Sequence, residues 1–200
     1  GRPMDAQTLF RVGSLTKPFL SLAILRLVES GRLRLSDRVR DLAPELALKN
    51  RWERTDPVRV EHLLEHTSGF DEMRFNEIFE RDGRQDLPLR EVLAVNPRSR
   101  EVRWRPGTRF SYSQPGYTVA GYLVEKVSGK PFERFLDEEV FGPLGIRGAT
   151  LRFSPSSRAR LATGYFSRQR APDVRLLHRP ASNLMISAED VARLIEMQLG

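Results

Sequence analysis

The 200-residue chain contains no cysteine. That absence excludes disulfide bonds, thiolate metal sites and cysteine nucleophiles. Long apolar runs are also missing, since none approaches the roughly 18 residues that a membrane span needs. The opening residues, Arg2 to Asp5, lack the apolar segment of a signal peptide. We therefore expect no membrane span in this chain. Any export signal would lie outside it, and the location would be periplasmic or secreted with such a signal and cytoplasmic without one.

Lysine is scarce, and its four occurrences are Lys17, Lys49, Lys126 and Lys130. The chain is nevertheless basic, with 33 basic and 26 acidic residues and a net charge of +7. Its arginines are scattered along the sequence, usually near an acidic residue. The densest stretch, residues 98–109, contains Pro106-Gly107 and is typical of a loop. We predict a solvated arginine-rich surface and no nucleic-acid partner.

Composition predicts a folded globule, because 40% of the residues are apolar and glycine and proline are not enriched enough for a low-complexity chain. A single domain over residues 1–200 is expected. Neither end resembles a domain boundary, so we expect it to be truncated at both. Apolar spacing and stop signals predict mainly helices. These are a helix from Ser14 to Gly31, helices over 58–66, 71–81, 88–95, 115–127 and 131–140, and a helix after Ser187. An irregular stretch over 148–179 is expected to hold at most short strands, with 150–153 as the best candidate.

The most informative segment is Ser14-Leu15-Thr16-Lys17, at the start of the first predicted helix. Residues three apart share one face of a helix, so the Lys17 amine can reach the Ser14 hydroxyl. The free N–H groups and positive dipole end of a helix N-terminus favour an alkoxide on Ser14 and an oxyanion on its acylated carbonyl. The same pattern also fits a serine that only caps the helix and a lysine that points to water. Alone, it leaves both interpretations open.

Further segments, in the same order along the chain, carry a resemblance to a known family. They are Thr8-Leu9-Phe10, Leu63-Leu64-Glu65-His66-Thr67-Ser68-Gly69, Pro106-Gly107-Thr108-Arg109-Phe110-Ser111-Tyr112-Ser113, residues 121–132 and Pro143-Leu144-Gly145. With Ser-x-x-Lys they resemble the serine β-lactamase and penicillin-binding-protein superfamily, in its branch of AmpC-type (class C) β-lactamases, esterases and D-amino-acid peptidases. The resemblance covers residues 8 to about 195. It implies an α+β, β-lactamase/transpeptidase-like fold, of which this chain holds mainly the helical region with the nucleophile helix.

The resemblance also implies a role for each catalytic residue. Ser14 is the acylated nucleophile, Lys17 its proton partner, and Tyr112 the tyrosine of the family's Tyr-x-Asn motif. An amine and a phenol held close together can move a proton from Ser14 to the leaving group, and the sequence leaves open which of them is the base.

Two features depart from the family pattern. Gln114 stands where the family usually has Asn, so we expect a substrate-binding residue whose longer amide changes substrate positioning. The family's third motif, a Lys or His followed by a small residue and Gly, is not found. We expect that motif, the second oxyanion donor and most of the antiparallel sheet to lie outside the chain.

A rival site is the segment His62-Leu63-Leu64-Glu65-His66, which has the pattern of inverted zincins. On a helix, His62 and His66 lie one turn apart and can hold zinc, with Glu65 as general base. The predicted helix ends at once in Thr67-Ser68-Gly69, however, and the resemblance gives this run a structural role that ties the helix end to neighbouring loops. We predict no metal site and keep a zinc peptidase as an alternative.

The sequence thus predicts a serine hydrolase that forms an acyl-enzyme with an amide or ester carbonyl. The expected partner is a small-molecule or peptide substrate, either a β-lactam, a D-amino-acid peptide or an ester, and no metal or organic cofactor is expected. A non-catalytic relative that keeps the fold for binding or assembly is the alternative. Ser14, Lys17 and Tyr112 together argue against that alternative, whereas Gln114 keeps it open.

Overall fold

Helices joined by loops make up most of the fold, and a computed structural model describes residues 3–78, 87–171 and 176–200. The strands are β1 (Phe10–Arg11), β2 (Tyr165–Phe166), β3 (Gln169–Arg170) and β4 (Met185–Ile186). The helices are α1 (Thr16–Glu29), α2 (Val39–Leu42), α3 (Val60–Leu64), α4 (Phe75–Ile78), α5 (Leu89–Val95), α6 (Gln114–Ser128), α7 (Phe132–Leu136), α8 (Pro155–Arg160), α9 (Arg179–Ser182) and α10 (Ala188–Leu199).

α6 lies at the centre of the hydrophobic core. Every residue from Pro115 to Val124 is buried, as expected of a helix that is covered on all sides. Its neighbours include α1, α3, α5, α7 and α9. The buried residues of α1 recur with helical spacing and include Phe19, Leu20, Ala23, Ile24 and Leu27. This packing fixes the helix that follows Ser14 against the helix that follows Tyr112.

α9 packs closely on α6 because α6 carries a glycine at the contact. A Cβ atom on Gly121 would lie 2.7 Å from Pro180 Cγ, a distance that a real side chain could not keep. The residue before α9, His178, is also buried, and its Nδ1 lies 2.7 Å from Thr118 Oγ1 on α6. These contacts fix α9, whose Ala181 carbonyl contributes to the site described below.

The chain enters the nucleophile region from a short strand. β1 pairs antiparallel with β4, with Phe10 opposite Ile186 and Arg11 opposite Met185. The next residue extends this contact, since Val12 N donates to Leu184 O at 3.1 Å. The strand end that leads to Ser14 is therefore held by the segment that follows α9.

The segment after Gly148 differs from the prediction. A strand over 150–153 is wrong: Thr150 makes only an isolated bridge to Met185. The prediction also missed α8, although Ser154 and Pro155 carry a local signal for it. Ser154 Oγ accepts a hydrogen bond from Ser157 N, and Pro155 occupies the first helical position, where its missing N–H costs nothing.

Several predicted helices are shorter in the structure. The predicted helix over 58–66 is α3, which ends at Leu64. The one over 131–140 is α7 followed by a wider π-helical turn over Asp137–Phe141. Of the one over 71–81, residues 75–78 form α4, and residues 79–81 lie outside the described residues.

The first and last predicted helices are confirmed. α1 ends just before Gly31, whose φ of 69° is left-handed. α10 begins after Ser187, whose side chain accepts a hydrogen bond from Asp190 N. In the part of the chain that the structure describes, no helix combines the length and apolar character that a membrane crossing requires.

Candidate active site

Ser14 lies in a turn between β1 and α1. It is the middle residue of a 3₁₀ turn, Gly13–Leu15, that runs directly into α1, so the α-helix begins two residues later than predicted. Gly13 adopts a left-handed φ of 54°, which glycine tolerates at little cost. Thr16 fixes the turn, because its Oγ1 donates to Gly13 O at 2.6 Å and accepts from Leu184 N at 3.0 Å. The Ser14 side chain is exposed at the surface of this fixed turn.

Lys17 brings a buried amine to Ser14. Its Nζ lies 3.3 Å from Ser14 Oγ and 2.8 Å from Ala181 O, and the residue is only 5% exposed. Burial lowers the pKa of the Lys17 amine below its ordinary value of 10.5, and the Tyr112 hydroxyl and Glu72 carboxylate oppose only part of that shift. The neutral amine, which can accept a proton, is therefore populated at a lower pH than in an exposed lysine.

Tyr112 completes the cluster from a distant part of the chain. Its hydroxyl lies 2.6 Å from Ser14 Oγ, although the two residues are 98 positions apart. Lys17 Nζ lies 4.7 Å from the centre of the Tyr112 ring. The structure thus brings together all three residues that the sequence predicted as catalytic, with Ser14 Oγ in contact with both partners.

His66 holds the backbone on either side of Tyr112. Its carbonyl accepts from Ser111 N at 2.8 Å, and its Nδ1 accepts from Ser113 N at 3.1 Å. The imidazole also stacks on the Tyr112 ring, with centroids 4.3 Å apart. His66 itself has a left-handed φ of 59°, an unfavourable conformation for a residue other than glycine. The end of α3 is thereby tied to the loop that carries Tyr112.

The protonation state of His66 matters for this contact. A ring nitrogen accepts a hydrogen bond from a backbone N–H only when it carries no proton. Burial, together with the nearby positive charge of Lys17, lowers the pKa of His66 to about 4. The ring is therefore neutral at neutral pH, and its contact with Ser113 N persists there.

The zinc alternative needs His62 and His66 on one helix face, and the structure does not place them so. α3 ends at Leu64, and the left-handed His66 lies beyond it. His62 Nδ1 accepts from Arg59 N at 3.1 Å, while His66 Nδ1 is engaged by Ser113 N. Across residues 3–78, 87–171 and 176–200, no three His, Asp or Glu side chains are grouped to hold a metal ion.

Gln114 is the first residue of α6 and lies two positions after Tyr112. Its backbone N donates to Glu72 Oε1 at 3.1 Å. Its side-chain Oε1 is buried and has no hydrogen-bond partner among the described residues. The sequence does not indicate Glu72 or the Ala181 carbonyl, since both reach the site through contacts between distant segments. No local pattern marks either residue.

Comparison with known proteins identifies the family of the chain. The family model Beta-lactamase matches residues 1–200, and the chain belongs to that family. It is 35% identical over 180 residues to esterase EstB of Burkholderia gladioli, covering 86% of this chain and 45% of EstB. It is 29% identical over 208 residues to penicillin-binding protein 4 of Amycolatopsis lactamdurans, covering 100% of this chain and 53% of that protein.

A solved structure matches the fold over almost the whole chain. The octameric penicillin-binding protein homologue from Pyrococcus abyssi superposes with a TM-score of 0.78 and 29% identity, covering 98% of this chain and 46% of that one. The chain therefore has a β-lactamase/transpeptidase-like fold, as expected. It spans about half the length of these relatives.

Acidification should destabilise the protein through His66. An unfolded histidine takes up its proton near pH 6.5, whereas folded His66 does so only near pH 4, so the stabilisation present above pH 6.5 is lost as the pH falls towards 4. We expect this residue to contribute a loss of roughly 1 to 3 kcal/mol over that interval. Urea unfolding at several pH values measures it.

His66→Asn is the matched variant, because asparagine tolerates a left-handed backbone and does not titrate in this range. The free energy of unfolding of the variant should depend less on pH between 6.5 and 4 than that of the parent protein. Identical pH dependence in the two proteins would contradict the assignment of a neutral, hydrogen-bonded His66.

Proposed function

We propose that this protein is a serine hydrolase that forms an acyl-enzyme at Ser14. The observation that carries the proposal is the position of Ser14 Oγ, within hydrogen-bond reach of both Lys17 Nζ and Tyr112 OH. A serine hydroxyl is a weak nucleophile until a nearby group removes its proton. Two such groups converge on Ser14, and their convergence supports nucleophilic catalysis over a helix-capping role.

In the proposed acylation, Ser14 Oγ attacks the carbonyl carbon of an ester or amide while its proton passes to the pair formed by Lys17 and Tyr112. The bond to the leaving oxygen or nitrogen then breaks, and the pair delivers the proton to that atom. Water next attacks the ester on Ser14. It gives one proton to the same pair, which returns it to Ser14 as the acid leaves. Each proton transfer in this sequence uses Ser14, Lys17 or Tyr112.

The surroundings of Lys17 support its part in this sequence. Burial favours the neutral amine, which is the form that accepts a proton from Ser14. The Ala181 carbonyl holds the amine at a fixed position beside Ser14. Both Lys17 Nζ and Tyr112 OH lie within reach of Ser14 Oγ, so the proposal assigns proton transfer to the pair rather than to one member.

The substrate class in this proposal is an ester or amide carbonyl, in a small molecule or a peptide. The names of the two relatives, an esterase and a penicillin-binding protein, support that breadth. We assign Gln114 to substrate binding, because it follows Tyr112 closely and its side-chain oxygen has no partner among the described residues. That oxygen is buried here, so the amide must turn outward before it can accept a hydrogen bond from an N–H on the acyl side of a substrate.

The intact protein should be acylated or phosphonylated at Ser14 alone when treated with a fluorophosphonate probe or a chromogenic β-lactam. Intact-mass measurement and peptide mapping identify the modified residue. Ser14→Ala should abolish labelling, and Lys17→Ala should slow it by about 100-fold or more, because no amine remains to take the proton.

Ser30→Ala is the control, since Ser30 lies on the surface just after α1 and should label as the parent does. Label on another serine, or undiminished label in Ser14→Ala, would contradict the proposal. A folded protein that no probe labels would favour the non-catalytic alternative. Labelling lost on chelation and restored by zinc alone would favour His62, Glu65 and His66.

Gln114→Asn should change which substrates are preferred, because it shortens the amide by one methylene and moves its oxygen away from the acyl group. We expect the ratio of kcat/KM for a short p-nitrophenyl ester to that for a chromogenic β-lactam to change on the order of tenfold. Acylation of at least one of them should persist. An equal loss with every substrate would place Gln114 in proton transfer instead.

A further inference from the structure

Two Arg-Trp dipeptides lie side by side on a surface away from Ser14. Lys49 and Glu101 form an isolated parallel bridge, and Val102 N donates to Lys49 O at 2.9 Å. Just beyond that bridge, Arg51-Trp52 on one segment and Arg103-Trp104 on the other line the same groove. The two tryptophans of the chain thus fall in the same place.

Each arginine of these dipeptides stacks on its own tryptophan. The guanidinium carbon of Arg51 lies 4.0 Å from the Trp52 ring centre, and that of Arg103 lies 4.4 Å from the Trp104 ring centre. Stacking uses the flat face of a guanidinium and leaves the N–H donors in its plane free for other partners. In Arg103 those donors already bind Phe70 O, Ser111 Oγ and Asp71, so Arg51 is the stacked arginine that can offer them to a ligand. Stacking also restricts the side chain in advance, so a ligand that binds those donors pays less in conformational entropy.

The two dipeptides line a groove of about 410 Å³, together with Arg105 and Arg109. Carboxylates oppose two of its four arginines: Asp71 lies 2.9 Å from Arg103, and Asp56 lies 3.9 Å from Arg105. Among the described residues, no salt bridge within 4.0 Å joins Arg51 or Arg109 to a carboxylate. The groove therefore carries excess positive charge.

We propose that this groove is a binding site for an oxyanion, a phosphate or carboxylate group of a small ligand, held mainly by Arg51 and Arg109. Planar guanidinium groups match such oxyanions with two parallel hydrogen bonds, and that geometry is stronger than an ordinary neutral hydrogen bond. The indoles give the site an apolar wall, where water competes less for the same donors.

The groove is separate from the proposed active site, since its lining contains none of Ser14, Lys17 and Tyr112. The two share one loop, however. Arg103 Nη2 donates to Ser111 Oγ at 2.7 Å, one residue before Tyr112. The proposal does not depend on hydrolase activity, and its test needs no substrate.

The two indoles provide a direct readout, because Trp52 and Trp104 line the groove and a ligand bound there changes their surroundings. We would titrate the intact protein with inorganic phosphate and, separately, with malonate, holding ionic strength constant with sodium chloride. The expected result is a saturable change in tryptophan emission with Kd on the order of 1 mM for at least one of them. The tighter of the two identifies the kind of oxyanion.

Arg51→Gln and Arg109→Gln should each weaken binding by about tenfold or more. Arg109 is exposed, so its replacement keeps the test valid even if Arg51→Gln disturbs its stack. Arg34→Gln is the control, because Arg34 is 83% exposed, lies outside the groove and pairs with Asp37. A response that does not saturate with either anion, or one that is equally strong in Arg109→Gln and Arg34→Gln, would overturn the proposal.

Discussion

The structure depends on one costly arrangement, a lysine amine buried beside a serine hydroxyl. Burying a charged amine is unfavourable, so the fold must either give the Lys17 amine hydrogen-bond partners or favour its neutral form. The structure does some of each. Ala181 O and Ser14 Oγ accept its N–H groups, and burial lowers its pKa. A neutral amine held in place is also what activation of Ser14 requires, so the cost of burial and the proposed chemistry have a common origin.

Three segments far apart in sequence meet to build that arrangement, and each is held by contacts of its own. Gly121 lets α9 approach α6 closely enough for Ala181 O to reach Lys17. His66 holds the backbone around Tyr112 through two hydrogen bonds and a ring stack. A change at Gly121 or His66 can therefore alter the cluster without touching Ser14.

Local patterns predicted the parts of the site that lie close together in sequence. The spacing of Ser14 and Lys17 brings their polar atoms to 3.3 Å, and α1, α6 and α10 follow from apolar spacing and capping. Local patterns could not predict contacts between segments. The Ala181 carbonyl, the Glu72 carboxylate and the left-handed turn at His66 depend on tertiary packing. The predicted strand over 150–153 failed for the same reason, since only Thr150 finds a pairing partner.

The pH dependence of the rate at which a fluorophosphonate modifies Ser14 tests the central claim most directly. If the buried amine of Lys17 activates Ser14, the rate should rise with pH through a midpoint below 10.5, the ordinary pKa of a lysine amine. Lys17→Ala should abolish that rise. A midpoint at or above 10.5, or the same pH dependence in Lys17→Ala, would contradict the account.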